Sequence, residues 1–219
     1  MGTPAFLFSA LLSIVKATPA MDTYSDYNVL SRNEKEGVDY LILSRKTASP
    51  LAVIAPHAGG IEPGTGEIAD AIAGRDYSFY AFKGIKKTGN RVLHIASDRF
   101  DEPEGRKIAH NADVVLTIHG CKEKEKIVFL GGKNQAIIER IRSRLIAAGF
   151  HAVISPRPGL QGQSTENICN RCRSGQGVQL EISRGLREAL FLDLSQRSLR
   201  RQTLLFNRFV ETLRTALSS

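Results

Sequence analysis

Short apolar runs alternate with helix-periodic segments along nearly the whole chain, and this alternation restricts the fold more than any other feature. "VDYLILS" (38–44), "LAVIAP" (51–56), "YSFYAFKGI" (77–85), "RVLHIAS" (91–97), "ADVVLTIHG" (112–120), "KIVFLGG" (126–132), "HAVIS" (151–155) and "GVQLEIS" (177–183) read as strands. Between them lie helical segments. "TGEIADAIAG" has Thr65 as N-cap and Gly74 as stop, and "EPEGRKIAHN" has Pro103 in its first turn. "NQAIIERIRSRLIAAGF" puts apolar residues at 137, 138, 141, 145 and 148 and closes at Gly149. "RGLREALF" and the basic, periodic C-terminal segment complete the set, after a lead-in from residue 22 that reads as a short helix or an irregular segment. Such a pattern predicts an α/β fold, with a mostly parallel or mixed central sheet flanked by helices.

The 219 residues suit one catalytic domain over 21–219, ending in a basic helix. The net charge of +8 favours polyanionic partners, and the stretch 151–219 holds ten Arg, no Lys and five acids. Three cysteines, odd and sparse, argue against a disulfide framework, and "CNRC" reads as a redox pair or half a zinc site but finds no second pair to complete a tetrahedral set. Residues 1–20 partly resemble a signal peptide, but the only basic residue, Lys16, follows the apolar run and Met21 offers a second start. Location is therefore open between cytoplasm and export, with the cytoplasm favoured. No run is long enough to span a membrane.

Four polar groups fall at or beyond strand ends, where open α/β sheets bind ligands. They are His57 after "LAVIAP", Glu62 in the glycine turn that follows, His119 ending "ADVVLTI", and Glu181 in "GVQLEIS". Two His, one carboxylate and an open position make a catalytic zinc site, and a further unligated carboxylate serves as proton shuttle. The competing reading of each piece is structural. A histidine after a strand is often a hydrogen-bonded core residue, and Gly59, Gly60 and Gly64 make a tight turn or phosphate loop, though without the Walker lysine. Glu181, between Leu180 and Ile182, is harder to dismiss, because a buried carboxylate needs a partner or a task. His94 reads as a core histidine or a substrate contact.

"APHAGGIEPGTGEIA", "LHIAS…FDEPEG", "ADVVLTIHG", "VFLGG" and "NICNRCRSGQGVQLEISRGLR" together resemble the poly-γ-glutamate hydrolase family, over about residues 25–192. The resemblance implies a fold similar to zinc carboxypeptidases and a zinc-dependent amidohydrolase of γ-glutamyl bonds, with one zinc ion. It implies that His57, Glu62 and His119 are the metal ligands and Glu181 the general base. It makes Asn170 and Arg171 candidates for holding substrate carboxylate. The His-to-Glu interval is longer than the carboxypeptidase H-x-x-E, and Ala58 stands where a glycine is expected, a concern if that residue must be left-handed. The extension before residue 21 and the Arg-rich tail from about 193 fall outside the resemblance.

The combined expectation is a monomeric zinc hydrolase of poly-γ-glutamate, with Arg171, Arg173, Arg184, Asn170 and His94 as substrate contacts. Two rivals stand: a zinc deacylase of small N-acyl amino acids, and a phage-related nucleic-acid-binding protein. The second leaves the four rim residues without a purpose and lacks aromatics interleaved with its basic residues. No specific nucleic acid is expected.

Overall fold

In a computed structural model that describes residues 22–218, seven strands form one sheet in the order β1-β3-β2-β4-β7-β5-β6. They are β1 (Tyr40–Arg45), β2 (Leu51–Gly59), β3 (Ser78–Gly84), β4 (Val114–Cys121), β5 (Ile127–Gly132), β6 (His151–Ile154) and β7 (Val178–Ser183). Strands β3, β2, β4 and β7 run parallel to one another; β1 is antiparallel to β3, and β5 to β7, with β6 parallel to β5. The sheet is thus mixed. Helices α1 (Tyr27–Asn33), α2 (Thr65–Ala73), α3 (Pro103–Asn111), α4 (Gln135–Ala147), α5 (Arg184–Leu190) and α6 (Leu204–Leu217) flank it, and a two-stranded ribbon, β8 (Phe191–Leu192) with β9 (Arg201–Gln202), precedes α6. None of the described helices is long and apolar enough to cross a membrane. The signal-like segment lies outside the described residues.

Strand alternation sorts side chains into two layers. Val53, Ala55, Leu116, Ile118, Val128, Leu130, Leu180 and Ile182 face α2, α4 and α6, where Ile68, Ile72, Ile138, Ile141, Phe206, Phe209 and Leu213 close the larger core. Ala52, Ile54, Tyr80, Phe82 and Val115 face the other way, against Leu93, Ile95, Phe100, Ile108 and Ile168. The Arg-rich tail belongs to this packing: Arg197 donates to the carbonyls of Gly84 and Ile85, and Arg214 to that of Ile72.

Strand β2 breaks the alternation where it matters. Ala55 pairs with Ala81 but Ala58 with Lys83, so three steps on β2 match two on β3, and one extra residue is held in a bulge at Pro56–His57. Ala55 and Ala58 both face the helix-covered core. Between them His57 is turned to the opposite face, where its ring meets Phe100 edge-on at 6.5 Å. Proline is tolerated at bulges, so β2 does not end at Pro56 as its sequence suggests but runs on to Gly59.

Two other expectations change. Residues 91–97 are not a strand: β2 already has β3 and β4 as neighbours, so Asn90–Leu93 forms a 3-10 turn and the chain continues extended across the sheet face, burying Leu93 and Ile95. The cap of α2 is Gly64, at φ 94, while Thr65 turns its hydroxyl back to the carbonyls of His57 and Glu62.

Candidate metal centre

Three adjacent parallel strands, β2, β4 and β7, bring their carboxyl ends together, and His57, His119 and Glu181 stand there. After His57 the chain reverses. Gly59 adopts φ 74 and sits so close to β3 that a Cβ would lie 2.3 Å from the carbonyl oxygen of Gly84. The reversal lets the amide of Glu62 donate to the carbonyl of His57 at 2.9 Å, which carries the Glu62 side chain back over the strand end. Ala58 needs no left-handed backbone; the residue that does is the next one, Gly59.

The donor atoms converge. Nδ1 of His57 is 3.1 Å from Oε1 of Glu62 and 3.2 Å from Nδ1 of His119; Nδ1 of His119 is 3.8 Å from Oε2 of Glu62. All three residues are buried. The outer atoms fix the inner ones. His57 Nε2–H donates to the carbonyl of Ile95 at 2.7 Å, so in the neutral ring Nδ1 presents a lone pair inward. His119 Nε2 lies 3.3 Å from the Ser97 hydroxyl, which leaves its Nδ1 inward too, and Glu62 Oε2 is held by the amide of Gly120 at 2.8 Å. Second partners of this kind set the tautomer of metal-ligating histidines.

Electron-rich atoms facing one another inside a protein need positive charge between them. Four tetrahedral ligands about 2.0–2.1 Å from zinc stand about 3.3 Å apart. The observed spacings bracket that value, so His57, Glu62 and His119 fit a single ion of this size. Burial opposes charge on His119 and, with the neighbouring His57, lowers its pKa to about 3. Burial works against ionised Glu62 as well; when His57 carries a proton on Nδ1 in place of a metal, its charge and hydrogen bond outweigh burial and hold the carboxylate below its ordinary range.

His94 stacks on His57, centroids 4.0 Å apart, with Nε2 3.8 Å from Glu62 Oε1. Its Nδ1–H donates to Asp22 at 2.6 Å, and Asp22 also accepts from the amide of Ala96 and from Arg99. Burial, with repulsion from His57, lowers the pKa of His94 to about 4.

Glu181 pairs in register with His119 across β4 and β7, so the two side chains share a face. Gln179 donates to Glu181 Oε1 at 3.2 Å and accepts from Asn167 at 2.9 Å, a buried amide chain that fixes the carboxyl. Burial, then repulsion from Glu62, raises the pKa of Glu181 well above the ordinary value, against the pull of Arg187. Arg187 is itself buried and donates to the carbonyls of Ile182, Pro63 and Cys121, tying together the ends of β7, the Glu62 turn and β4.

A match to the family described as Poly-gamma-glutamate hydrolase spans residues 24–212. The chain belongs to the poly-γ-glutamate hydrolase family. That match takes in most of the Arg-rich tail, which the sequence motifs alone had placed outside. Within the family's surroundings, the chain is 38% identical over 176 residues to YndL of Bacillus subtilis (strain 168), covering 78% of this chain and 68% of YndL. A bacteriophage poly-γ-glutamate hydrolase superposes with a TM-score of 0.86 at 33% identity, covering 90% of this chain and 97% of the phage protein. The zinc-free structure of YndL superposes with a TM-score of 0.85 at 35% identity, covering 91% and 98%.

The expected substrate contacts are dispersed. Asn170 spends its side chain on the carbonyls of Gly162 and Ser164 and the amide of Gly177, which anchors the loop. Arg171 is paired with Glu166. The structure does not bring Arg173 to the rim: the loop runs back across the sheet, and Arg173 binds Asp113 before the amino end of β4, roughly 20 Å along the strand from His119. Arg184 does follow the carboxyl end of β7, where it holds Glu188 and Ser195. Sequence reasoning gave no role to Asp22, which lies before the motifs, or to Ser97, Asn167, Gln179 and Arg187, which lie within them, because all five act on the site through other residues.

Proposed function

We propose that this family member is a zinc-dependent amidohydrolase that cuts γ-glutamyl amide bonds of poly-γ-glutamate. The convergence of His57 Nδ1, Glu62 and His119 Nδ1 at zinc-ligand spacing carries the reading. Those three residues would hold one zinc ion. A bound zinc supplies a Lewis acid and lowers the pKa of attached water from 15.7 to about 7.

The chain's own residues supply the rest. Glu181 lies one strand from His119, and its raised affinity for protons suits a group that takes a proton from the attacking water and hands it to the leaving nitrogen. The Asn167–Gln179 chain keeps that carboxyl aimed along the row. Asp22 fixes the ring of His94, whose Nε2 faces the donor cluster and stands ready to contact the substrate. Arg184 and Arg171 would each hold substrate carboxylate only by releasing present partners, Glu188 and Ser195 in the first case and Glu166 in the second.

The test is incubation with poly-γ-glutamate before and after exhaustive chelation, reading chain length. Shortening that stops with metal removal and returns with zinc is expected. Activity indifferent to complete metal removal defeats the mechanism, and an intact polymer after treatment with zinc-loaded protein defeats the substrate.

A further inference from the structure

The register of β4, β7 and β5 lines up His119 with Glu181 and Glu181 with Phe129. Adjacent strands are about 4.8 Å apart, so this row carries the site face about 10 Å from His119 to Phe129. Arg157, from the segment that doubles back after β6, lays its guanidinium on the Phe129 ring with Cζ 5.1 Å from the centroid. Stacking of this kind holds the planar group in place.

The guanidinium is only partly engaged. Nη1 donates to Glu123, while Nε and Nη2 have no partner among the described residues. Its side chain is 51% exposed. Glu123 is more buried, and its Oε2 has no hydrogen-bond partner among the described residues, so it holds the guanidinium through Nη1 alone. By contrast, Nε and Nη2 are both taken in Arg171 and in Arg184. Arg157 thus offers the open Nε/Nη2 edge that a carboxylate accepts in bidentate fashion.

We propose that Arg157, seated on Phe129, is a carboxylate subsite for a γ-linked glutamyl chain, one unit removed from the unit being cut. The proposal rests on the poly-γ-glutamate reading. A γ-linked unit has five backbone bonds and advances about 6 Å. The carboxylate of the unit at the cut then lies about 5 Å from the reacting carbon and that of the next unit about 11 Å. The row length matches the second.

The experiment compares zinc-loaded wild-type protein with Arg157→Gln and Arg157→Lys on a γ-glutamyl dipeptide and a γ-linked octamer, with thermal melts and zinc content confirming the fold. In Arg157→Gln the KM for the octamer should rise about tenfold more than that for the dipeptide, the scale of a lost charged hydrogen bond. Arg157→Lys should recover part of the loss, since it keeps the charge without the fork. An unchanged octamer-to-dipeptide KM ratio overturns the subsite, and if the wild type still cleaves, the reaction reading survives. Calorimetric binding of the octamer to Glu181→Gln, with and without Arg157→Gln, separates the converse: binding that depends on Arg157 without cleavage by the wild type keeps the subsite and defeats the reaction. An octamer neither bound nor cleaved overturns both.

Discussion

The two faces of the central sheet are made by the same strands and obey different rules. On one face Leu116, Ile118, Leu180 and Ile182 meet three helices in a dry layer. On the other, their immediate neighbours Thr117, His119, Gln179 and Glu181 form a polar row beside a small apolar cluster of Cys121, Ile127 and Phe129. The first face depends on volume: any side chain of the right size and polarity fills it. The second depends on identity, because His57, Glu62, His119, Gln179 and Glu181 each meet particular polar partners there. The bulge in β2 moves His57 from the first regime to the second.

The contrast is broken most severely by His119→Ala. It should abolish zinc binding and reduce turnover below detection while the helix-covered core keeps the protein folded, as checked by metal content, activity and a thermal melt. Glu181→Gln should keep the metal and lose about 10²–10⁴-fold in turnover, the usual scale for a general acid–base group. Leu180→Ala, one residue away and on the opposite face, should do the reverse. Denaturant unfolding should show a loss of about 2–5 kcal/mol, with unaltered turnover per folded molecule. If Leu180→Ala abolished turnover of the folded protein, the two faces would not be independent.

The smallest effect sharpens the comparison without metal. The pKa of Glu181 is raised in the folded chain, so above the ordinary carboxyl value near 4.5 the folded state retains a proton that the unfolded state has released. Stability therefore falls as pH climbs through that window. Metal-free Glu181→Gln should melt about 2–4 °C above wild type at pH 7, the shift of about 1 kcal/mol in a domain of this size. The gain should vanish near pH 4, where the carboxyl is protonated in both states.

Much of this was legible in the residues. Apolar runs and helical spacing located the sheet strands and flanking helices because each buries one continuous stripe. His57, Glu62, His119 and Glu181 were legible because strand ends in such folds collect ligands. The bulge was not, since "APHAG" has no mark that shifts parity, and without it His57 belongs to the wrong face. Residues 91–97 misled because an extended segment crossing a sheet face buries alternate residues just as a strand does. Arg173 misled because a long loop's direction is set by distant contacts: Asn170 with Gly177, and the Arg173 amide with Ala112. Arg157 lay outside every motif; only the pairing of Phe129 with Glu181 places it near the site.

Zinc-edge X-ray absorption on the loaded protein, with metal counted per chain, bears most directly on the claim that three rim residues share one ion. The account predicts one zinc per chain with only nitrogen and oxygen neighbours at about 2.0–2.2 Å, lost in His57→Ala. A sulfur neighbour at about 2.3 Å would place the metal on Cys121 or the Cys169–Cys172 pair instead, and would contradict the site described.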